Sequence, residues 1–281
     1  MSMISLKNKM NIASYPYRGK MLTSQEISAK MVWMAILTPL PASANPKSSP
    51  PNYGHGSLSE KAYLMVRDRI LRGQLPLGTA LSRRKLAEEF HMSLLPVSEA
   101  LQRLENDGLV ESRPRVGTRV RIPTPQDIRE CHVVREALES QSARLFAEKA
   151  SSQERRELLG MAEQTDVLFN RCGSGETDPE FLFVVHNFHF QLHMRIAECT
   201  GCRALRETIE KQHVLVFNWL YDMAARCPPL PPRFHRDLLE VLTGADPEAA
   251  DAVMRRHIRY GLDNILQGIQ SNVSDSRWSR L

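Results

Sequence analysis

Two patterns of apolar positions follow one another along the chain, and the change between them divides it. Between residues 57 and 123 the periodic stretches are short. Tyr63, Val66, Ile70 and Leu71 recur at helical spacing and Gly73 follows as a terminator, which predicts a first helix. Leu75-Pro-Leu-Gly78 forces a turn, after which Ser82 caps a short second helix to Phe90 with Leu86, Ala87 and Phe90 inward. Past another tight turn, Ser93 caps a third helix reaching Asp107, with Val97, Ala100, Leu101 and Leu104 on one face and Gly108 ending it. Leu109-Val-Glu-Ser and Thr118-Arg-Val-Arg-Ile122 then read as two short strands joined at Arg115-Val-Gly117. Three short helices closed by a basic hairpin predict a winged helix-turn-helix.

From residue 124 the period is helical throughout, with predicted segments 125–149, 152–171, 178–200, 203–226, 232–243 and 247–270. Thr124-Pro125 and Asp246-Pro247 each set a capping side chain before a first-turn proline, and Ser152 starts another helix. Short connections imply a mostly antiparallel bundle. The predicted fold is therefore mainly α: an N-terminal winged helix-turn-helix over 57–123 followed by an all-helical antiparallel bundle over 124–272. Residues 1–56 and 273–281 are read as tails. The first ends in Pro46-Lys-Ser-Ser-Pro-Pro-Asn-Tyr-Gly, a linker composition that predicts disorder. Met31–Leu40 followed by Ala42-Ser-Ala44 imitates a signal peptide, but thirty residues precede it and Pro39 and Pro41 interrupt it. The segment is read as a dispensable tail, with Met21, Met31 or Met34 as candidate starts.

Composition narrows the class. The chain has 281 residues and 42% hydrophobic positions, enough for a core, without a run of about 18 apolar residues that would span a bilayer. The net charge of +5 equals the excess in residues 1–56, which hold six Lys/Arg against Glu26. Residues 57–123 carry +4 and residues 124–281 carry −4. A basic segment followed by an acidic one fits a nucleic-acid-binding module joined to a domain with another task. Five cysteines, an odd number in a chain large enough to need no staples, indicate a reducing, cytoplasmic setting. The pair Cys199-Thr-Gly-Cys202 lacks a second CxxC and is read as structural.

A helix of this motif fits the major groove while the hairpin lies along the backbone, where Arg83, Arg84, Lys85, Arg103, Arg113, Arg115, Arg119 and Arg121 can neutralise phosphates. The alternative is a protein-binding winged helix whose charges are merely solvated. Leu71-Arg-Gly-Gln-Leu-Pro-Leu-Gly-Thr-Ala-Leu81, Leu86-Ala-Glu-Glu-Phe90, Pro96-Val-Ser-Glu-Ala-Leu-Gln-Arg-Leu104 and Gly108-Leu-Val-Glu111 with wing Gly117 resemble the DNA-binding domain of GntR-family bacterial transcription factors. The resemblance implies binding of duplex DNA at a palindromic operator by a homodimer, through Arg84, Ser93, Leu94, Ser98, Arg115 and Gly117. It also marks departures: Leu94 and Leu95 stand where relatives have Arg then Thr or Ser, and Ser98 where they have Arg. Two readings stay open for the leucines, contact with a thymine methyl or packing against the second helix.

In the bundle, Arg135 lies on the inward stripe of Ile128, Cys131, Leu138 and Leu145. It needs a partner, either an internal carboxylate such as Glu139 or that of a ligand. His186, His189 and His193 share one helix face, and His189/His193 can aim two imidazoles at one cation. His235 and His257 sit on separate helices that can face the same interior. Each alone is more often a core histidine than a ligand. Arg135-Glu-Ala-Leu-Glu139, Leu192-His-Met-Arg-Ile-Ala-Glu-Cys-Thr-Gly201, His235-Arg-Asp-Leu-Leu-Glu and Gly244-Ala-Asp-Pro-Glu-Ala-Ala250 with Arg255-Arg-His-Ile258 resemble the FCD effector domain of FadR-subfamily GntR regulators.

That domain typically holds a divalent metal through one Asp and three His, and His193, His235 and His257 match the histidines. His189 occupies the Asp position. The resemblance thus implies a four-histidine site, one negative charge poorer and suited to a divalent transition metal such as zinc or nickel, or to copper, over magnesium or calcium. It further implies a small organic acid effector held by Arg135, with His186 beside the ligands or facing the effector. The expectation is a ligand-responsive transcription regulator. The alternative is a metal-dependent enzyme acting on a small carboxylate. Against it, His189-Phe-Gln-Leu-His193 lacks the glutamate of a His-Glu-x-x-His protease, and neither a Gly-rich phosphate loop nor a nucleophile elbow occurs.

Overall fold

The computed structural model describes residues 57–173, 179–223 and 230–272. The expected tails, the segment 174–178, Cys227 and the end of the 203–226 helix lie outside the described residues.

Residues 57–123 form α1 (Leu58–Leu71), β1 (Ala80–Leu81), α2 (Arg83–Glu89), α3 (Leu94–Asn106), β2 (Val110–Arg113) and β3 (Gly117–Val120). Local chemistry sets the boundaries. Ser57 and Ser82 hydroxyls accept the N–H groups of Glu60 and Lys85, capping α1 and α2. Ser93 stands at the N-cap of α3, but its side chain accepts no capping bond, so the expected cap is positional only. Gly73 and Gly108 adopt φ of 67° and 78°, a left-handed backbone that closes a helix at no Cβ cost. The wing registers Val110 opposite Val120 and Arg113 opposite Gly117. On its other side β3 pairs with β1, Ala80 opposite Arg119, so the sheet has three strands in the order β1-β3-β2. The two residues of β1 are too few to show an alternating pattern, which is why the sequence predicts no element there. Val97, Leu101, Leu104 and Leu109 fill the core between helices and sheet; truncating any of these leucines to alanine removes about 2–5 kcal/mol.

Residues 125–272 form α4 (Pro125–Lys149), α5 (Ser152–Gly173), α6 (Pro179–Cys199), α7 (Arg203–Met223), α8 (Phe234–Leu242) and α9 (Pro247–Asn272). Thr124 and Asp127 make a reciprocal capping box around Pro125. Asp246 Oδ1 accepts the N–H groups of Glu248 and Ala249. The cap of α5 is Ser151, bonded both ways with Glu154, one residue before the expected start. α8 is shorter than its expected segment because Arg233 takes a left-handed φ of 60°. α9 runs antiparallel along α4: Arg144 pairs with Glu248, Glu136 with Arg255 and Arg259, and Ile128 packs near Ile265. Arg155 ties two helix ends, donating to the carbonyls of Ala147, Ala150 and Thr243.

Cys131, Cys199 and Cys202 are free thiols, and α6 ends at Cys199 as a structural reading of that pair requires. Cys172 is disulfide-bonded, contrary to the expectation of reduced cysteines, because a cysteine count carries no information about which thiols the fold brings together. Among the described residues no helix is long and apolar enough to cross a membrane.

Candidate functional site

Four histidines from three helices converge inside the bundle. α6 supplies His189 and His193, four residues apart on one face, with Nε2 atoms 2.9 Å from each other. α9 supplies His257, whose Nε2 lies 3.2 Å from that of His193. α8 supplies His235, fully buried. Nitrogens of His189, His235 and His257 all lie within 4.8 Å of one another. Phe169 and Phe234 wall the cluster, with ring centroids 5.3 Å from His235 and 4.8 Å from His257 respectively.

Burial decides the protonation state. Desolvation holds His189 and His257 well below the ordinary imidazole range, reinforced by the neighbouring imidazoles. It lowers His235 too, against the opposing pull of Asp166. Neutral imidazoles expose lone pairs. Between two Nε2 atoms in contact only one proton can sit, so three close nitrogens cannot all be satisfied by each other. His235 Nε2 has no hydrogen-bond partner at all. A buried polar atom left this way is costly unless something accepts its lone pair, and a borderline divalent cation could do so for His189, His235 and His257 together, with His193 Nε2 beside two of them. The donor set fits a transition metal and, lacking a carboxylate, suits magnesium or calcium poorly.

A charged network adjoins the cluster. Arg135 Nε donates to Glu139 Oε1 at 2.8 Å, with both side chains buried. His213 Nε2 lies 3.0 Å from the same oxygen and 3.3 Å from Arg135 Nη2. His193 Nδ1 sits 2.5 Å from Glu139 Oε2. Burial works against ionisation of Glu139, yet Arg135 and the imidazoles outweigh it and hold the carboxyl well below its usual range. Arg135 is the largest of the contributions that lower it, and burial pushes the neighbouring His213 down to about 3. His186, also buried, packs its ring edge-on to Phe169 at 6.0 Å, and burial pushes it down to about 4.

The winged helix presents a second surface. Leu94 and Leu95 at the start of α3 are 56% and 68% exposed, which overturns packing of these leucines against α2. Ser98 Oγ donates to the Leu94 carbonyl at 2.8 Å. Arg84 reaches Glu88 at 3.0 Å with a largely exposed side chain. Arg115 occupies the wing tip at φ 65°. Beside it Gly117, at φ 102°, has nothing within 4 Å of where a Cβ would stand, so its backbone conformation and not crowding calls for glycine. Of the other basic residues read as phosphate partners, Arg103 is paired with Glu60, Arg119 with Glu111 and Arg121 with Asp127. Arg113 is held loosely by Glu111 at 3.6 Å. Arg83 and Lys85 are exposed.

Comparison with known proteins agrees with both halves. Residues 58–120 match the family described as bacterial regulatory proteins, gntR family, and residues 130–260 match the FCD domain. The chain is 30% identical to a probable D-xylose utilization operon transcriptional repressor of Paenarthrobacter nicotinovorans over 69% of this chain and 84% of that one. The chain belongs to the GntR family. This GntR regulator is also 25% identical to the HTH-type transcriptional repressor RspR of Escherichia coli K12 over 76% of its own length and 92% of RspR. Its fold is that of Escherichia coli McbR/YncC, with a TM-score of 0.61 at 23% identity, covering 75% of this chain and 98% of that one. The family is one of DNA-binding transcription regulators and not of enzymes, so the alternative of a metal-dependent enzyme is set aside.

Two residues of the site escape the sequence reading. Asp166, from α5, meets His235, and His213, from α7, meets Glu139. Each lies among buried residues at helical spacing, Ala162, Thr165 and Phe169 around Asp166 and Ile209 one turn before His213. A polar residue on a buried stripe, the signal that marks Arg135, marks these as well.

Proposed function

We propose that this GntR regulator is a ligand-responsive switch that binds a palindromic operator as a homodimer in the cytoplasm and holds a divalent transition metal, zinc or nickel, on His189, His193, His235 and His257. The carrying observation is the convergence of His189, His235 and His257 on a buried point, with His193 Nε2 in contact with two of them and His235 Nε2 unpartnered. When bound, the ion supplies a Lewis-acid position able to take a carboxylate oxygen of a small organic acid. Arg135 supports an anionic effector in a specific way: its guanidinium is already neutralised by Glu139, so an effector carboxylate binds there by exchange with Glu139 rather than by filling an empty charge. Such exchange disturbs His193 and His213, which share that glutamate. His186 lies one helical turn from His189 on the effector side of this reading.

The test is direct. His235→Ala should lower the metal content of the purified protein, measured by mass spectrometry of the elements. It should also lower the metal-dependent part of the melting temperature, because an ion bound only by the folded state stabilises it by mass action. Equal metal content in the two proteins would sink the assignment.

A further inference from the structure

Asp166 reaches three groups on another helix. Its Oδ1 accepts the His235 Nδ1–H at 2.8 Å and the His235 backbone N–H at 2.9 Å, and its Oδ2 accepts the Arg236 backbone N–H at 2.9 Å. His235 and Arg236 are the second and third residues of α8, and Arg233 at the N-cap makes no side-chain capping bond. Two of the first-turn N–H groups of α8 therefore find their acceptor on α5, while that of Phe234 goes to the Pro231 carbonyl. The same carboxylate fixes the imidazole. A carboxylate only accepts, so Nδ1 carries the proton and Nε2 the lone pair. That lone pair belongs to a fully buried ring, has no protein partner, and sits in the group with His189 and His257.

We infer that Asp166 is a positioning residue that couples metal loading to the seating of α8: one side chain caps the helix and sets the tautomer and orientation of its ligand histidine. The inference rests on the four-histidine reading of the site. A carboxylate behind a ligating imidazole raises its basicity as well as aiming it, and loss of such a partner typically costs about 10–100-fold in metal affinity. Capping alone would give Asp166 an effect on folding without an effect on affinity.

The experiment uses the full chain. Zinc affinity is measured by competition with a chromophoric chelator, the ligand field by the visible absorption of the cobalt(II)-loaded protein, and folding by the melting of the metal-free protein. Asp166→Asn should weaken zinc binding about 10–100-fold and shift the cobalt bands. The same change in a His235→Ala background should do nothing further to affinity, since the two residues act through one contact. Asp166→Glu keeps the charge on a longer arm and should give an intermediate loss; it carries the test if the asparagine variant does not fold. Zinc affinity unchanged in a folded variant overturns the inference, as does an equal loss with and without His235. A wild-type protein that binds neither zinc nor cobalt overturns the four-histidine reading itself, an outcome separate from both.

Discussion

At the scale of single residues, the surface of the winged helix is sorted by whether a carboxylate is within reach of each base. Arg103 and Arg119 are engaged inside the domain and Arg121 is engaged by Asp127 of α4, whereas Arg115 is exposed at the wing tip. Arg84 is held only by an exposed pair with Glu88, and such a pair, worth at most about 1 kcal/mol, yields readily to a phosphate. Arg84→Ala and Arg115→Ala should each weaken duplex binding about equally across sequences and reduce the slope of log affinity against log salt by about one, read by titration at several salt concentrations. Unchanged slopes would remove both from the phosphate contacts. Leu94 differs in kind. Its exposed side chain cannot donate to guanine but can pack on a thymine methyl, so an A·T pair is expected opposite it. Leu94→Arg should change base preference at one position per half-site by roughly 1–3 kcal/mol, as judged by selection from random duplexes. An unchanged preference would place Leu94 away from the base edges.

At the scale of elements, the bundle buries polar side chains on helix faces that an apolar stripe would normally fill. α4 contributes His132, α6 His186 and α7 His213, all buried. Desolvation pushes His132 and His186 down to about 4 and His213 to about 3. The ordinary value is 6.5. Below it the unfolded chain binds protons that the folded protein refuses, so stability is intact above pH 6.5 and falls as the pH drops toward 4. Urea unfolding of metal-free protein between pH 7.5 and 4.5, a range chosen to span roughly the ordinary and shifted values, should show this decline. A flat profile would mean that these rings are solvated. The sequence makes Arg135 conspicuous because one cation interrupts a 3.6-residue stripe, yet it leaves open whether the partner is Glu139 or a ligand. Their 2.8 Å contact answers this for the protein alone.

At the scale of the whole molecule, α7 joins the two functional regions through consecutive residues. Cys131 of α4 reaches the Gln212 side chain at 3.2 Å. His213 faces Glu139. Val214 is buried within the core of the winged helix, and Leu215 packs against that core and approaches Gly108. A change in the Arg135–Glu139–His213 network therefore has one helix along which to reach the DNA-binding domain, as a switch with two arrangements requires. Leu215→Ala should cost about 2 kcal/mol, the low end for a leucine truncation because the residue is only partly buried. It should also split a single calorimetric transition into separate meltings of the winged helix and the bundle. A single transition in the variant would show that the coupling runs elsewhere.

Sequence by itself determines the elements, because the forces that start and stop a helix act within a few residues. Thr124, Asp127 and Pro125 form their capping box from adjacent positions, Gly108 ends α3 where a left-handed residue is needed, and the wing turns at Arg115 and Gly117. The histidines of the candidate site are legible in part for the same reason, since His189 and His193 share a face of one helix, while His235 and His257 are read only as able to face the same interior until resemblance to a family joins them. What the tertiary structure alone decides are contacts between elements distant along the chain: the pairing of β1 with β3, the hold of Asp166 on His235, the placement of His213 beside Glu139, and the entry of Val214 into the winged-helix core. Spacing along one helix fixes which residues share a face. It does not fix which other helix that face meets, and it is the meeting of faces that removes water, shifts the imidazoles and leaves the Nε2 of His235 without a partner.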